Sequence, residues 1–258
     1  ERIRKWLSPV LAFLLFFAFI PAVSPAQAAT PTFYSLDNGS IRFGNGGENS
    51  INTSGLPQQP FYNRAGSWYK LTYGSYSMDT AIGVGGTGTG TWNTSGLIFG
   101  TQNGDYGITN LSIDYSGFVQ TAAVGSGVKG YGTIISTGNV SKAVSGVTYS
   151  MQIKMTYELG QTSSFVKITT NIKNIGSSNL VNLRTWVGTR DDWVGQNGWS
   201  DGPTKTRGTI SSANGFVAGT VAGSRNPALR IVADTDAVLF FSPSTSANTS
   251  INSCCSFA

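Results

Sequence analysis

From Val147 to Glu158 the chain alternates with a period of two. Val147, Tyr149, Met151, Ile153, Met155 and Tyr157 are apolar, while Thr148, Ser150, Gln152, Lys154, Thr156 and Glu158 are polar. An extended backbone puts those two sets on opposite faces, whereas a helix would scatter them around its axis. The segment is therefore expected to be a strand with one face against a core and the other in water. Its partners follow directly. Leu159–Ser164 has turn composition, and then Val166, Ile168 and Ile172 alternate with Lys167, Thr169, Asn171 and Lys173. Gly176–Asn179 turns the chain again, and Leu180–Val187 reads as a third strand with Val181, Leu183 and Val187 on one face. Short turns without a helical crossover predict an antiparallel meander.

The same reading extends outward. Trp68–Tyr76, Leu97–Phe99, Tyr106–Tyr115 and Tyr131–Thr137 are predicted strands, and Ala228–Ala233 with Ala237–Phe241 is a predicted hairpin around Asp234–Asp236. The chain has 33 glycines in 258 residues, well above the usual ~7%. Together with abundant Ser, Thr and Asn, this is the composition of many short strands joined by turns. Gly83–Gly90 has the glycines of a phosphate cradle but neither a following helix nor a Lys-Ser/Thr pair, so nucleotide binding is not expected. The fold class is all-β: an antiparallel β-sandwich, supersandwich-like in size, preceded by a signal-peptide helix.

That leader is read from residues 1–28. Arg2, Arg4 and Lys5 form a basic start, Val10–Ile20 is an uncharged apolar run of 11 residues, and Ala26-Gln27-Ala28 supplies small residues for cleavage after Ala28. The run is shorter than the ~20 residues that span a bilayer. The expected product is secreted, extracellular or at the cell surface, with no membrane span after cleavage. Residues 29–66, rich in Asn, Gly and Pro, read as an irregular lead-in with one strand near Ser40–Phe43, and 67–258 as the sandwich domain. Without the leader the chain holds 17 − 3 = 14 Lys/Arg and 12 − 1 = 11 Asp/Glu, a net charge of +3. No basic run with interleaved aromatics follows, so nucleic acid is not an expected partner.

There is no histidine, which excludes Ser-His-Asp and Cys-His catalysis and the common zinc sites. The remaining chemistry concentrates in Thr189–Arg207, which carries Arg190, Asp191, Asp192, Trp193, Asn197, Trp199, Asp201, Lys205 and Arg207. Long loops between strands often hold function, and three readings suit this one. In the first, Trp193 and Trp199 offer flat apolar faces to sugar rings while Arg190, Asp191, Asp192, Asp201 and Lys205 bind hydroxyls. In the second, Asp191, Asp192, Asn197 and Asp201 are hard oxygen ligands for calcium. In the third, the tryptophans cap a core and Arg190 pairs with Asp191. A glycosidase would draw a carboxylate pair from Asp191 or Asp192 with Asp201 or Glu158, a polysaccharide lyase could instead use Tyr, Lys or Arg, and no motif assigns a catalytic residue.

Cys254 and Cys255 are the only cysteines. Adjacent cysteines close a strained ring if bonded to each other, so in an oxidising compartment each is expected to find a partner elsewhere. The chain is accordingly expected to be the N-terminal part of a larger secreted protein. Asn-x-Ser/Thr triplets occur at Asn38, Asn52, Asn93, Asn110, Asn139 and Asn248.

The run Phe165–Leu183 carries a resemblance. A strand ending in Asn, a Gly-Ser turn and a Leu-Val-Asn-Leu strand resemble a segment of bacterial secreted β-sandwich domains and the matching hairpin of supersandwich domains in carbohydrate-active enzymes. The resemblance implies the fold and carries no catalytic residue. The expected function is noncatalytic: adhesion or binding to a polysaccharide or cell-surface glycan, within a larger surface or matrix protein. The alternative is a glycoside hydrolase, a polysaccharide lyase or an accessory domain of one.

Overall fold

A computed structural model describes residues 30–72, 79–84, 90–91, 97–100, 108–144, 146–181, 183–188, 205–207, 216–221, 228–232 and 256–257. All but Thr30 and Pro31 belong to a compact unit that begins at Thr32. Its described residues are all-β, with no helix. In chain order the strands are β1 (Tyr34–Leu36), β2 (Ile41–Phe43), β3 (Pro60–Arg64), β4 (Ser67–Lys70), β5 (Asp79–Gly83), β6 (Gly90–Thr91), β7 (Leu97–Gly100), β8 (Thr109–Asp114) and β9 (Phe118–Val124). They continue as β10 (Gly127–Val144), β11 (Val147–Leu159), β12 (Val166–Asn174), β13 (Arg184–Gly188), β14 (Lys205–Arg207), β15 (Phe216–Val221), β16 (Ala228–Val232) and β17 (Ser256–Phe257). Among the described residues no helix is long and apolar enough to cross a membrane.

The alternating segment from Val147 becomes β11, the centre of the largest sheet. Tyr149, Met151, Ile153, Met155, Tyr157 and Leu159 are all buried, while Lys154 is exposed. β11 pairs antiparallel with β10 from Val144↔Val147 to Gly132↔Leu159, and with β12 from Leu159↔Val166 to Met151↔Asn174. On β10 the inward residues are Ile134, Ser136, Gly138 and Val140, opposite Tyr157, Met155, Ile153 and Met151. On the other edge of β10, β9 and β8 pair antiparallel in succession and so form one line of strand, interrupted at Tyr115–Gly117. That interruption is a bulge: Thr133 donates its N–H to the carbonyl of Gly117 at 2.9 Å. Opposite it, Gly132 has φ +108°, and a Cβ there would strike the Gly117 carbonyl oxygen.

Several expectations change. The meander ends at β12: the third strand is β13, and it pairs with β5 rather than with β12. Val181 and Leu183, which alternation alone assigned to a buried face, are exposed at 49% and 41%. The sheet is also mixed, because β1 lies parallel to β10 with Leu36 opposite Gly130, taking up the edge where β11 stops. Asn38 secures this join by donating Nδ2–H bonds to the carbonyls of Gly160 and Ser163 in the β11–β12 connection. Of the predicted C-terminal hairpin, β16 forms but pairs with β15, and 237–241 lies outside the described residues, as does the leader 1–28.

The core lies on the inner face of this sheet. Residues 29–66 supply the strands β1, β2 and β3 and part of the core: Leu36, Phe43, Ile51 and Leu56 are buried in one cluster with Ile134, Val140 and the inward side chains of β11. The turn at Asn52–Leu56 buries Ser54, Gly55 and Leu56. Asn52 holds it by accepting the Ser54 and Leu56 N–H groups on Oδ1, and the carbonyl of Gly55 then accepts two buried hydroxyls, Ser136 Oγ at 2.7 Å and Tyr157 OH at 2.8 Å. A buried carbonyl without a partner would cost about 1–3 kcal/mol, so these hydroxyls are what allow a polar turn to sit in an apolar core.

Burial pushes the Tyr157 hydroxyl far above its ordinary pKa of 10.0, and the bond with Ser136 offsets only part of that. Because the folded state holds this proton more tightly than the unfolded chain, its stabilisation is complete below pH ~10 and is lost as pH rises from there, by up to about 1.4 kcal/mol per unit. Denaturant unfolding between pH 9 and 12 should show the stability gap between wild type and Tyr157→Phe shrinking above pH ~10. A gap that stays constant over that range would remove Tyr157 as the cause.

Candidate functional site

β2, β3 and β4 form a separate antiparallel sheet in which Phe61, Tyr62, Trp68 and Tyr69 are partly exposed. The hairpin between β3 and β4 turns at Ala65-Gly66, with Ala65 at φ 51°, the left-handed value that a tight two-residue turn requires. Asn63 Oδ1 accepts the Gly66 N–H at 3.0 Å and fixes the turn. The resulting register sets Tyr62 opposite Tyr69 and Asn63 opposite Trp68.

Strand alternation then sorts the side chains. One face holds Ile41, Phe43, Tyr62 and Tyr69. Phe43 joins the core and Ile41 packs against it, while the tyrosine rings stack at 5.4 Å. The other face holds Arg42, Phe61 and Lys70 in one row and Asn63 and Trp68 in the next. The Arg42 guanidinium reaches across it, 4.9 Å from the Phe61 ring centroid and 4.3 Å from that of Trp68. Each such contact contributes about 0.5–2 kcal/mol and fixes the plane of the cation. The loop after β2 crosses the same group, so that a Cβ at Gly46 would stand 3.1 Å from Arg42 Nη1.

The electrostatics of Arg42 are unbalanced. Burial lowers its pKa below the ordinary guanidinium value, and nearby Asp37 counteracts this through space. Asp37 makes no salt bridge to it: the one ion pair among the described residues joins Lys167 to Glu158 at 3.5 Å. Arg42 Nε is buried and has no hydrogen-bond partner among them.

Of the residues expected to form a site, Arg190, Asp191, Asp192, Trp193, Asn197, Trp199 and Asp201 lie outside the described residues, as do Cys254 and Cys255. Lys205 opens β14, with its backbone opposite Val221. Glu158 faces solvent beside Lys167, as its place on the polar face of β11 requires. The described residues hold no group of three or more His, Cys, Asp or Glu that could bind a metal ion.

Sequence reasoning missed the Arg42 face because Phe61-Tyr62 and Trp68-Tyr69 put aromatics on both sides of their strands and so break the alternation. The available signal was local. Two adjacent aromatic pairs bracketing Ala65-Gly66 mark a hairpin in which rings must meet across the strands. No protein-family model matches the chain, and neither the curated proteins nor the solved structures contain a match to it.

Proposed function

We propose that this chain is a secreted, noncatalytic β-sandwich domain that binds glycans, as part of a larger cell-surface or matrix protein. The observation that carries the reading is the face of β2–β4, where partly exposed Phe61 and Trp68 hold a guanidinium whose Nε has no hydrogen-bond partner among the described residues. Sugar recognition uses this combination, with flat apolar surface for the ring and a fixed polar group for its substituents. The leader in residues 1–28 supports an extracellular setting, in which glycans are the abundant partners. The loop from Arg190 to Lys205 is a second contact region in this proposal, with Trp193 and Trp199 as stacking surfaces and Asp191, Asp192, Asn197 and Asp201 as calcium ligands.

A glycan array probed with the secreted protein tests the reading. Trp68→Ala should weaken each detected glycan about tenfold, equivalent to about 1.4 kcal/mol. Parallel arms with Trp193→Ala and with calcium removed assign the contribution of the loop. An array with no bound glycan, or one on which none of these changes has an effect, rejects the proposal.

A further inference from the structure

Strand register places Arg42, Phe61 and Lys70 directly opposite one another across β2, β3 and β4, so two cations flank one aromatic ring. Neither cation belongs to the one ion pair among the described residues. Asp37, the acidic residue nearest in the electrostatics of Arg42, uses its Oδ1 to accept the Gly39 N–H at 2.8 Å. The Arg42 guanidinium is thus a planar cation, oriented by Phe61 and Trp68, that has no ion-paired carboxylate among the described residues. A planar fork of N–H donors matches a carboxylate better than it matches a neutral hydroxyl, and an ammonium beside it adds a point charge without geometric demands.

We infer that the ligand class is an acidic polysaccharide whose uronate carboxylates pair with Arg42 and Lys70. This rests on the glycan-binding reading and narrows it. A single-stranded nucleic acid would also use cations and rings, but it needs a basic track along its backbone. This face offers two cations, and the sequence after residue 28 contains no basic run.

Binding to immobilised polygalacturonate, dextran sulfate, unsubstituted dextran and oligo-dT separates the outcomes. Wild type should prefer polygalacturonate. Arg42→Gln should weaken that binding about tenfold or more, the size of one charge-assisted hydrogen bond. Arg42→Lys should fall between the two, because it keeps the charge and loses the fork. Lys70→Gln, which leaves the ring stack intact, should also weaken binding and supplies a second measurement if Arg42→Gln does not fold. Equal binding to dextran, or unchanged binding by both Arg42→Gln and Lys70→Gln, overturns the acidic-ligand inference while leaving glycan binding in place. A preference for dextran sulfate or oligo-dT overturns the carboxylate assignment, and binding to no polysaccharide rejects both readings.

Discussion

Tyr157→Ala should lower the unfolding free energy by about 3–5 kcal/mol, the range for removing a large, fully buried ring from a packed core. Tyr157 is 1% exposed and lies among Met155, Ile134 and Ile168 through its register on β11. Truncation leaves a cavity and removes one of the two hydroxyls on the Gly55 carbonyl. Tyr157→Phe keeps the ring and loses only the hydroxyl, so it should cost about 1–2 kcal/mol. Equilibrium denaturation of the two variants separates cavity from hydrogen bond. Equal losses would mean that the polar contact, rather than packing, is what Tyr157 contributes.

Gly132→Ala is expected to rank beside it, at roughly 2–5 kcal/mol, from a strained positive φ combined with a clash against fixed backbone. The positive φ alone is not sufficient. Gly125, in the β9–β10 turn, has φ +56° with nothing within 4 Å of an added Cβ, so Gly125→Ala should cost only about 1–2 kcal/mol. At Gly132 the new methyl meets the carbonyl oxygen of Gly117, whose acceptor role for Thr133 closes the bulge. Relief of that clash has to open the bulge. Unfolding midpoints for the pair, together with hydrogen exchange at Thr133, check this. If Gly132→Ala is as mild as Gly125→Ala and leaves Thr133 protected, the bulge does not depend on this position.

The legible part of the fold was the part written in a period of two. β11 and β12 emerged close to their expected limits because each shows one face to the core, so the pattern and the burial are the same information. Leu180–Val187 had a comparable pattern and a different fate, since alternation states which face is buried but not which strand lies alongside. That choice went to β5, more than a hundred residues earlier in the chain. The parallel placement of β1 and the inserted turn at Asn52–Leu56 have no periodic signature at all. Their positions depend on hydrogen bonds to Gly130, Ser136 and Tyr157 that close only in three dimensions. The Arg42 face was hidden for a related reason: strands were expected at Ser40–Phe43 and from Trp68, but the strand between them, Pro60–Arg64, lies in a segment whose composition reads as turn, and nothing periodic pairs the three.

The inserted turn also sets an order of events. Gly55 is separated in sequence from Ser136 by 81 residues and from Tyr157 by 102. Contacts that distant form late, because the entropy of closing so large a loop must be overcome before the bonds can form. The β10–β11 and β11–β12 hairpins close over short connections and can form first. The Asn52–Leu56 turn has no seat until they do. A chain that emerges N-terminus first therefore exposes Ile51 and Leu56 for as long as β10 and β11 are still to come, which leaves this segment open to misassociation until the sheet is complete.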